Sequence, residues 1–472
     1  MRPTIRRQIV LAFILLLFAR STPPLYAQTP TAAVVDTIQI PGADIVGLSV
    51  GADGELAVYD RTDGVSNTVM RFFQASMVGG VPVITEMPET VAMAGDAPHF
   101  KGWMARANGL LYALAETRPT TSWSRAWSRM WIYVIGGRSS IGAIGYNSTS
   151  TVNGGEPAKW PEDFWYGVNG FVIQPKNSEG THNARIIIDD TIKGNLDILD
   201  LDSFGTGLVS QLRYSYRPRL ESDCDWPDLD PNLVWYDCHW SSIFGSGAAL
   251  EWYLETFAGP GNPLATTDEL YLLDPNYSKS YLRRFELSHP GAPISATELG
   301  GIDISAETLG VGAESVHGAP REDRLWVATG IQSNKPVPDQ GVVPVVNTET
   351  RAVEVLNPVY ADRHTVLVDP IDQRHVIIPV SESGLNPSSL ILRELRNGVV
   401  INSVTALEDF DRSSLRAAAY DRSTGLVYLA IKDGMVADTL YAVAATEAMS
   451  ADSIFADGFE SGSTVVWSAA VP

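Results

Sequence analysis

Short apolar runs rich in β-branched and aromatic residues recur along this chain between Asp, Gly and Asn turns, and no sustained helical period competes with them. The pattern predicts strands, gathered into units of similar wording. The last unit runs Leu415–Tyr420, turns on Asp421-Arg-Ser-Thr-Gly425, returns as Leu426–Ile431, turns on Asp433-Gly434 and closes with Thr439–Val443. The first matches it: Ile45–Val50, a turn at Ala52-Asp-Gly54, Glu55–Tyr59, a turn at Asp63-Gly64, and a third strand near Thr68–Phe72. Other second strands are read at Leu110–Leu114, Ala184–Ile188, Ala249–Tyr253, Leu325–Ala328 and His375–Pro379, following units that begin near His99, Val168, Ile243, Glu314 and His364.

Units of this kind bury their sheets only by stacking on one another. In this the chain resembles seven-bladed β-propellers of secreted bacterial type, over roughly residues 33 to 445, with no subfamily signature such as a Trp-Asp dipeptide. The resemblance implies an all-β fold. The last unit runs out of strands after Val443, while Ala33–Ile40 has nothing local to pair with. Because an open edge strand invites aggregation, this N-terminal strand is expected to complete the seventh blade and close the ring.

Arg2, Arg6 and Arg7 before the apolar run Ile9–Ala19, with Leu25-Tyr-Ala27 before Gln28, have the anatomy of a secretory signal peptide. The expected organisation is therefore a signal peptide over 1–27, a propeller over 28–447 and a tail over 448–472. Secretion or a periplasmic location follows. The chain carries 34 basic against 55 acidic residues, and losing the leader removes four Arg and no acid. Such a surface disfavours nucleic acid and anionic lipid, whose recognition rests on cationic patches. No second apolar run is long enough to span a membrane.

Cys224 and Cys238 flank a loop of acids and aromatics. In an oxidising compartment the simplest reading is a disulfide, worth about 3 kcal/mol for a loop of this size in the chain-entropy model. Two thiols and His239 fall short of the four ligands of a structural zinc site, so no metal site is assigned. Asp223, Asp225, Asp228 and Asp230 raise calcium as a cofactor, against the alternative of a solvated acidic loop, but the spacing fails the EF-hand pattern. No other cofactor is indicated.

Nine of the twelve Trp lie between residues 123 and 252. Trp123, Trp127 and Trp131 recur every four residues with Arg125 and Arg129 between them, so a short helical turn would set three indoles on one face. Insertions after the second and third units are thus a candidate ligand platform for carbohydrate or protein, the alternative being indoles that fill space beneath long loops. A second candidate site is the mouth of the central channel, where His99, His317, His364 and Glu314, with Lys101 and Arg416 near the same level, offer acid–base groups or simply a polar lining. The chain has no Walker loop and no His-Glu-x-x-His. The expected function is a binding or interaction scaffold on blades 2 to 4, with a lyase or hydrolase at the channel mouth as the alternative. The tail, Asp452-Ser-Ile-Phe-Ala-Asp-Gly-Phe-Glu-Ser-Gly462 followed by Trp467, resembles a short element that ends many secreted bacterial proteins.

Overall fold

The structure, a computed structural model, describes strands and adjoining turns between residues 34 and 444. Residues 1–33, 94–103, 118–128, 148–169, 216–253, 330–342, 357–365 and 445–472, with shorter stretches between strands, lie outside the described residues. The described part is all strand and turn, and its strands form seven four-stranded antiparallel sheets.

The chain starts with β1 (Val34–Gln39). The first sheet is β2 (Ile45–Val50), β3 (Glu55–Asp60), β4 (Thr68–Val78) and β5 (Val81–Met93). The second is β6 (Met104–Ala107), β7 (Leu110–Thr117), β8 (Arg129–Gly136) and β9 (Ser139–Asn147). The third is β10 (Gly170–Pro175), β11 (Ala184–Asp190), β12 (Asn195–Leu201) and β13 (Leu208–Ser215). The fourth is β14 (Leu254–Phe257), β15 (Thr267–Pro275), β16 (Ser280–Ser288) and β17 (Ala296–Asp303). The fifth is β18 (Ala313–Ala319), β19 (Arg324–Thr329), β20 (Val343–Asn347) and β21 (Val353–Leu356). The sixth is β22 (Leu367–Val368), β23 (His375–Ser381), β24 (Ser388–Arg396) and β25 (Val399–Phe410). The seventh is β26 (Leu415–Asp421), β27 (Leu426–Asp433), β28 (Val436–Ala444) and, outermost, β1.

That last pairing joins the two ends of the described chain. β1 runs antiparallel to β28 with Val34 opposite Val443 and Gln39 opposite Thr439. The first strands neighbour one another in turn, β2 beside β6, β6 beside β10, β10 beside β14, β14 beside β18, β18 beside β22 and β22 beside β26, which lies against β2. This radial stacking is a propeller.

The core is correspondingly split into layers between sheets. Leu56, Val58 and Phe73 of the first sheet pack with Tyr428, Leu440 and Ala442 of the seventh. Tyr112, Leu114 and Ile132 of the second meet Phe171, Ile186 and Ile188 of the third. A second strand is covered on both faces, so it is buried throughout: Leu111–Ala115 reads as a continuous apolar run, and Ala184–Ile188 is apolar but for the buried Arg185. Outermost strands alternate instead, as β17 does.

This distinction explains a correction. In the fourth sheet the second strand is β15, not Ala249–Tyr253, a segment outside the described residues; the inner strand is β14 rather than one near Ile243. Leu270-Tyr-Leu272 has the unbroken burial the position requires, whereas Leu-Glu-Trp-Tyr alternates. The other six second strands fall where the sequence puts them.

Polar groups fasten the seam between the seventh and first sheets. Asp44 accepts from the Ala437 backbone N–H at 3.2 Å and from the Arg61 guanidinium, while its own N–H donates to the buried carboxylate of Asp60 at 3.0 Å. On the far side, Asp421 accepts from Ser423 N–H, Ser423 Oγ and Thr424 Oγ1, which shapes the Asp-Arg-Ser-Thr-Gly turn. A Cβ at Gly54, whose φ is +78°, would lie 2.8 Å from Ser423 Oγ, so the neighbouring turn approaches this one as closely as glycine permits.

Candidate functional site

Because strand direction alternates, the connections divide between two faces. We call upper the face where the first strand of each sheet begins and lower the face where it ends. Bonds between sheets fix the correspondence: Arg106, near the lower end of β6, donates to Ser49, near the lower end of β2, and Arg422 just past β26 pairs with Asp369 just past β22. Segments 94–103, 118–128, 148–169, 216–253, 330–342 and 357–366 all join strand ends on the upper face. The longest connection on the lower face is 258–266.

The upper-face segments carry most of the indoles: Trp123 and Trp127 in 118–128, Trp160 and Trp165 in 148–169, and Trp226, Trp235, Trp240 and Trp252 in 216–253. These Trp, with Arg125, lie outside the described residues, as do Cys224, Cys238 and Asp223, Asp225, Asp228 and Asp230. Two members of the Trp/Arg series are described, and they correct the expectation of a helical turn. Arg129 and Trp131 stand in β8, paired with Thr117 and Ala115 of β7. The run Met130-Trp-Ile-Tyr-Val-Ile135 is strand-forming, and its pairing with β7 overrides the four-residue spacing. In sequence, segment 118–128 joins the second and third strands of the second sheet rather than following that sheet. Trp131 is half-buried and lies opposite Gly145, which has no side chain, across the strand pair. It therefore stands beside the upper rim with part of its surface open.

Of the channel-mouth candidates, His99, Lys101 and His364 lie outside the described residues. Glu314 and His317 both belong to β18, an inner strand. Here the pairing registers show something the sequence does not. In β2, β18 and β26 the register slips at the second residue, so Val46, Glu314 and Arg416 each fall outside the ladder at the same level. A bulge of this kind re-aims the residue it carries and is common beside functional sites. Arg416 is exposed there. His317 sits lower, opposite Trp326. Glu314 and Arg416 thus share a level while His317 does not, and Val46 joins them without any sequence signal, since a bulge depends on the partner strand. Among the described residues no group of three or more His, Cys, Asp or Glu could hold a metal ion.

The lower face is built differently. Arg106 donates to Ser49 Oγ and to the carbonyls of Ser49 and Glu55, and Arg138 Nε sits 2.7 Å from the Glu55 carboxylate. Burial lowers the Arg106 pKa against the opposing pull of Glu55 and Asp53. Arg185, fully buried, donates to Ser288 and Ala292 of the next sheet and pairs with Asp200 at 3.1 Å. These cations are consumed by contacts between sheets. Among the described residues no helix is long and apolar enough to cross a membrane.

No protein-family model matches the chain, and no curated protein matches it. Solved structures do resemble it at low identity. A 6-phosphogluconolactonase-like protein of Bacteroides uniformis is 11% identical over 76% of this chain and 85% of its own, with a TM-score of 0.45. The GH74 xyloglucanase of Xanthomonas campestris is 12% identical over 88% of this chain and 54% of its own, with a TM-score of 0.46. The C-terminal WD40 domain of Sif2 is 8% identical over 88% of this chain and 99% of its own, at 0.42. At these values the likenesses carry no argument about activity, and the propeller assignment rests on the strand pairing itself.

Proposed function

We propose that this chain is a secreted or periplasmic, seven-bladed propeller that works as a binding scaffold, with its ligand platform on the upper face of the second to fourth sheets. The observation that carries the reading is the division of the connections: every long one joins upper strand ends, and those of the second to fourth sheets hold eight of the nine clustered Trp. Insertions gathered on one face of a repeat fold are the usual location of binding. Indoles and guanidinium groups offer broad contact at small entropic cost, which suits a carbohydrate ring or a protein side chain. A disulfide between Cys224 and Cys238 would brace the longest of these segments; the intact mass without reduction is then two hydrogens below that of the dithiol, and free thiols in exported material exclude it.

The experiment is a thermal-shift screen of glycans and peptides, with and without calcium, followed by Trp123→Ala and Trp127→Ala against the best ligand. A ligand that binds only the native state raises the melting temperature. Both variants are expected to lose binding while keeping stability within about 1 kcal/mol of the parent, whereas indoles packed as core would cost roughly 3 to 5 kcal/mol. A loss of that size in denaturant titration removes the platform. A second reading, an enzyme at the channel mouth, is favoured by the shared bulge level of Glu314 and Arg416. Turnover abolished by Glu314→Gln with ligand binding intact would select it.

A further inference from the structure

The exposed large hydrophobic side chains of the described residues are not scattered. Val34, Val78, Val83, Ile141, Leu208, Val209, Leu299 and Val399–Ile401 all lie in outermost strands or at the hairpin leading into one. Those hairpins are on the lower face, so the apolar positions form a rim there. The densest stretch is the start of β25, where Val399 is 63%, Val400 37% and Ile401 52% exposed. The register slips between Glu394 and Leu395, leaving Ile401 without a cross-strand partner. Among the described residues β25 pairs only with β24, so its other side is an edge there. An uncovered apolar edge is an aggregation hazard that folded proteins usually cover.

The described chain ends close to this edge. Val34 opposes Val443, and β28 runs downward, so residue 444 leaves the seventh sheet at the lower face. The sixth sheet packs directly against the seventh through Leu390, Leu392, Val427 and Leu429. Beyond residue 444 the sequence holds Ile454, Phe455, Phe459, Val465, Val466 and Trp467, with Glu447, Asp452, Asp457 and Glu460 and no Lys or Arg. Ten extended residues, from 444 to 454, span about 33 Å. A four-stranded sheet is about 14 Å across. Reach is sufficient, and tethering gives an effective concentration on the order of millimolar that a second copy does not match in dilute solution.

We propose that the C-terminal segment 452–467 docks on the lower edge of the sixth sheet, its aromatic residues covering Val399, Val400 and Ile401. This is independent of what the upper face binds. The test is hydrogen exchange on the full secreted chain beside one ending at residue 447. Truncation is expected to speed exchange over residues 399–403 at least about fivefold while leaving β27 unchanged, since covered backbone opens less often than bare edge. A Phe459→Ser/Trp467→Ser double variant should reproduce the loss, and a synthetic 450–469 peptide added to the truncated chain should restore protection. Equal exchange at 399–403 in the full and truncated chains overturns the proposal. So does a full-length dimer by light scattering that Val400→Glu dissociates and truncation leaves intact, because the occupant is then a second copy.

Discussion

Deleting residues 28–41 should produce an aggregating species. Among the described residues β1 is the only partner of the outer side of β28, so its loss exposes the backbone groups from Thr439 to Val443 as an apolar edge. The deletion also strips Val35, Ile38 and Ile40 from the layer between the seventh and first sheets. Burying one such side chain is worth about 1.5 to 3 kcal/mol, and a whole domain holds only about 5 to 15 kcal/mol in reserve. Gel filtration and thermal denaturation read the outcome, and a peptide spanning 33–42 should rescue it in trans. A deletion variant that stays monomeric at the parent's melting temperature would show that the ends of the chain do not depend on one another.

The second large effect separates two indoles that the sequence treats alike. Trp326→Ala is expected to cost roughly 3 to 5 kcal/mol by denaturant titration, because a fully enclosed ring leaves a cavity its neighbours fill only in part. Trp326 is 1% exposed and packs with Val343, Val345, Val366 and Val376 between the fifth and sixth sheets. Trp131→Ala, at a half-open position opposite Gly145, should cost about 1 kcal/mol or less, the range of substitutions away from the core. Equal losses would mean that the upper rim is packed as tightly as the interior, and the case for an accessible aromatic surface would weaken.

Much of this architecture is written locally. Continuous apolar runs such as Leu426–Ile431 and alternating ones such as Ala296–Asp303 specify second and outermost strands, because a strand clasped between two sheets must be apolar on both faces and an edge strand on one. The Asp/Gly turns set the hairpins, and the unpaired N-terminal strand finds its partner by the same logic of open edges. The sequence also concentrates its indoles in segments without strand pattern. What it leaves undetermined is anything that depends on a partner strand. The four-residue spacing of Trp123, Trp127 and Trp131 suggests a helix, yet β7 is present to pair with Arg129–Gly136, and ladder hydrogen bonds outweigh a short helical period. Ala249–Tyr253 alternates like a strand, but the position against β14 and β16 goes to β15, whose burial fits. The common level of Val46, Glu314 and Arg416 arises from register slips, which exist only between two strands and leave no mark on either alone. The sharing of one face by the long connections is likewise a product of tertiary structure: single loops carry their length in the sequence, but their side follows from stacking first strands in one direction around the ring.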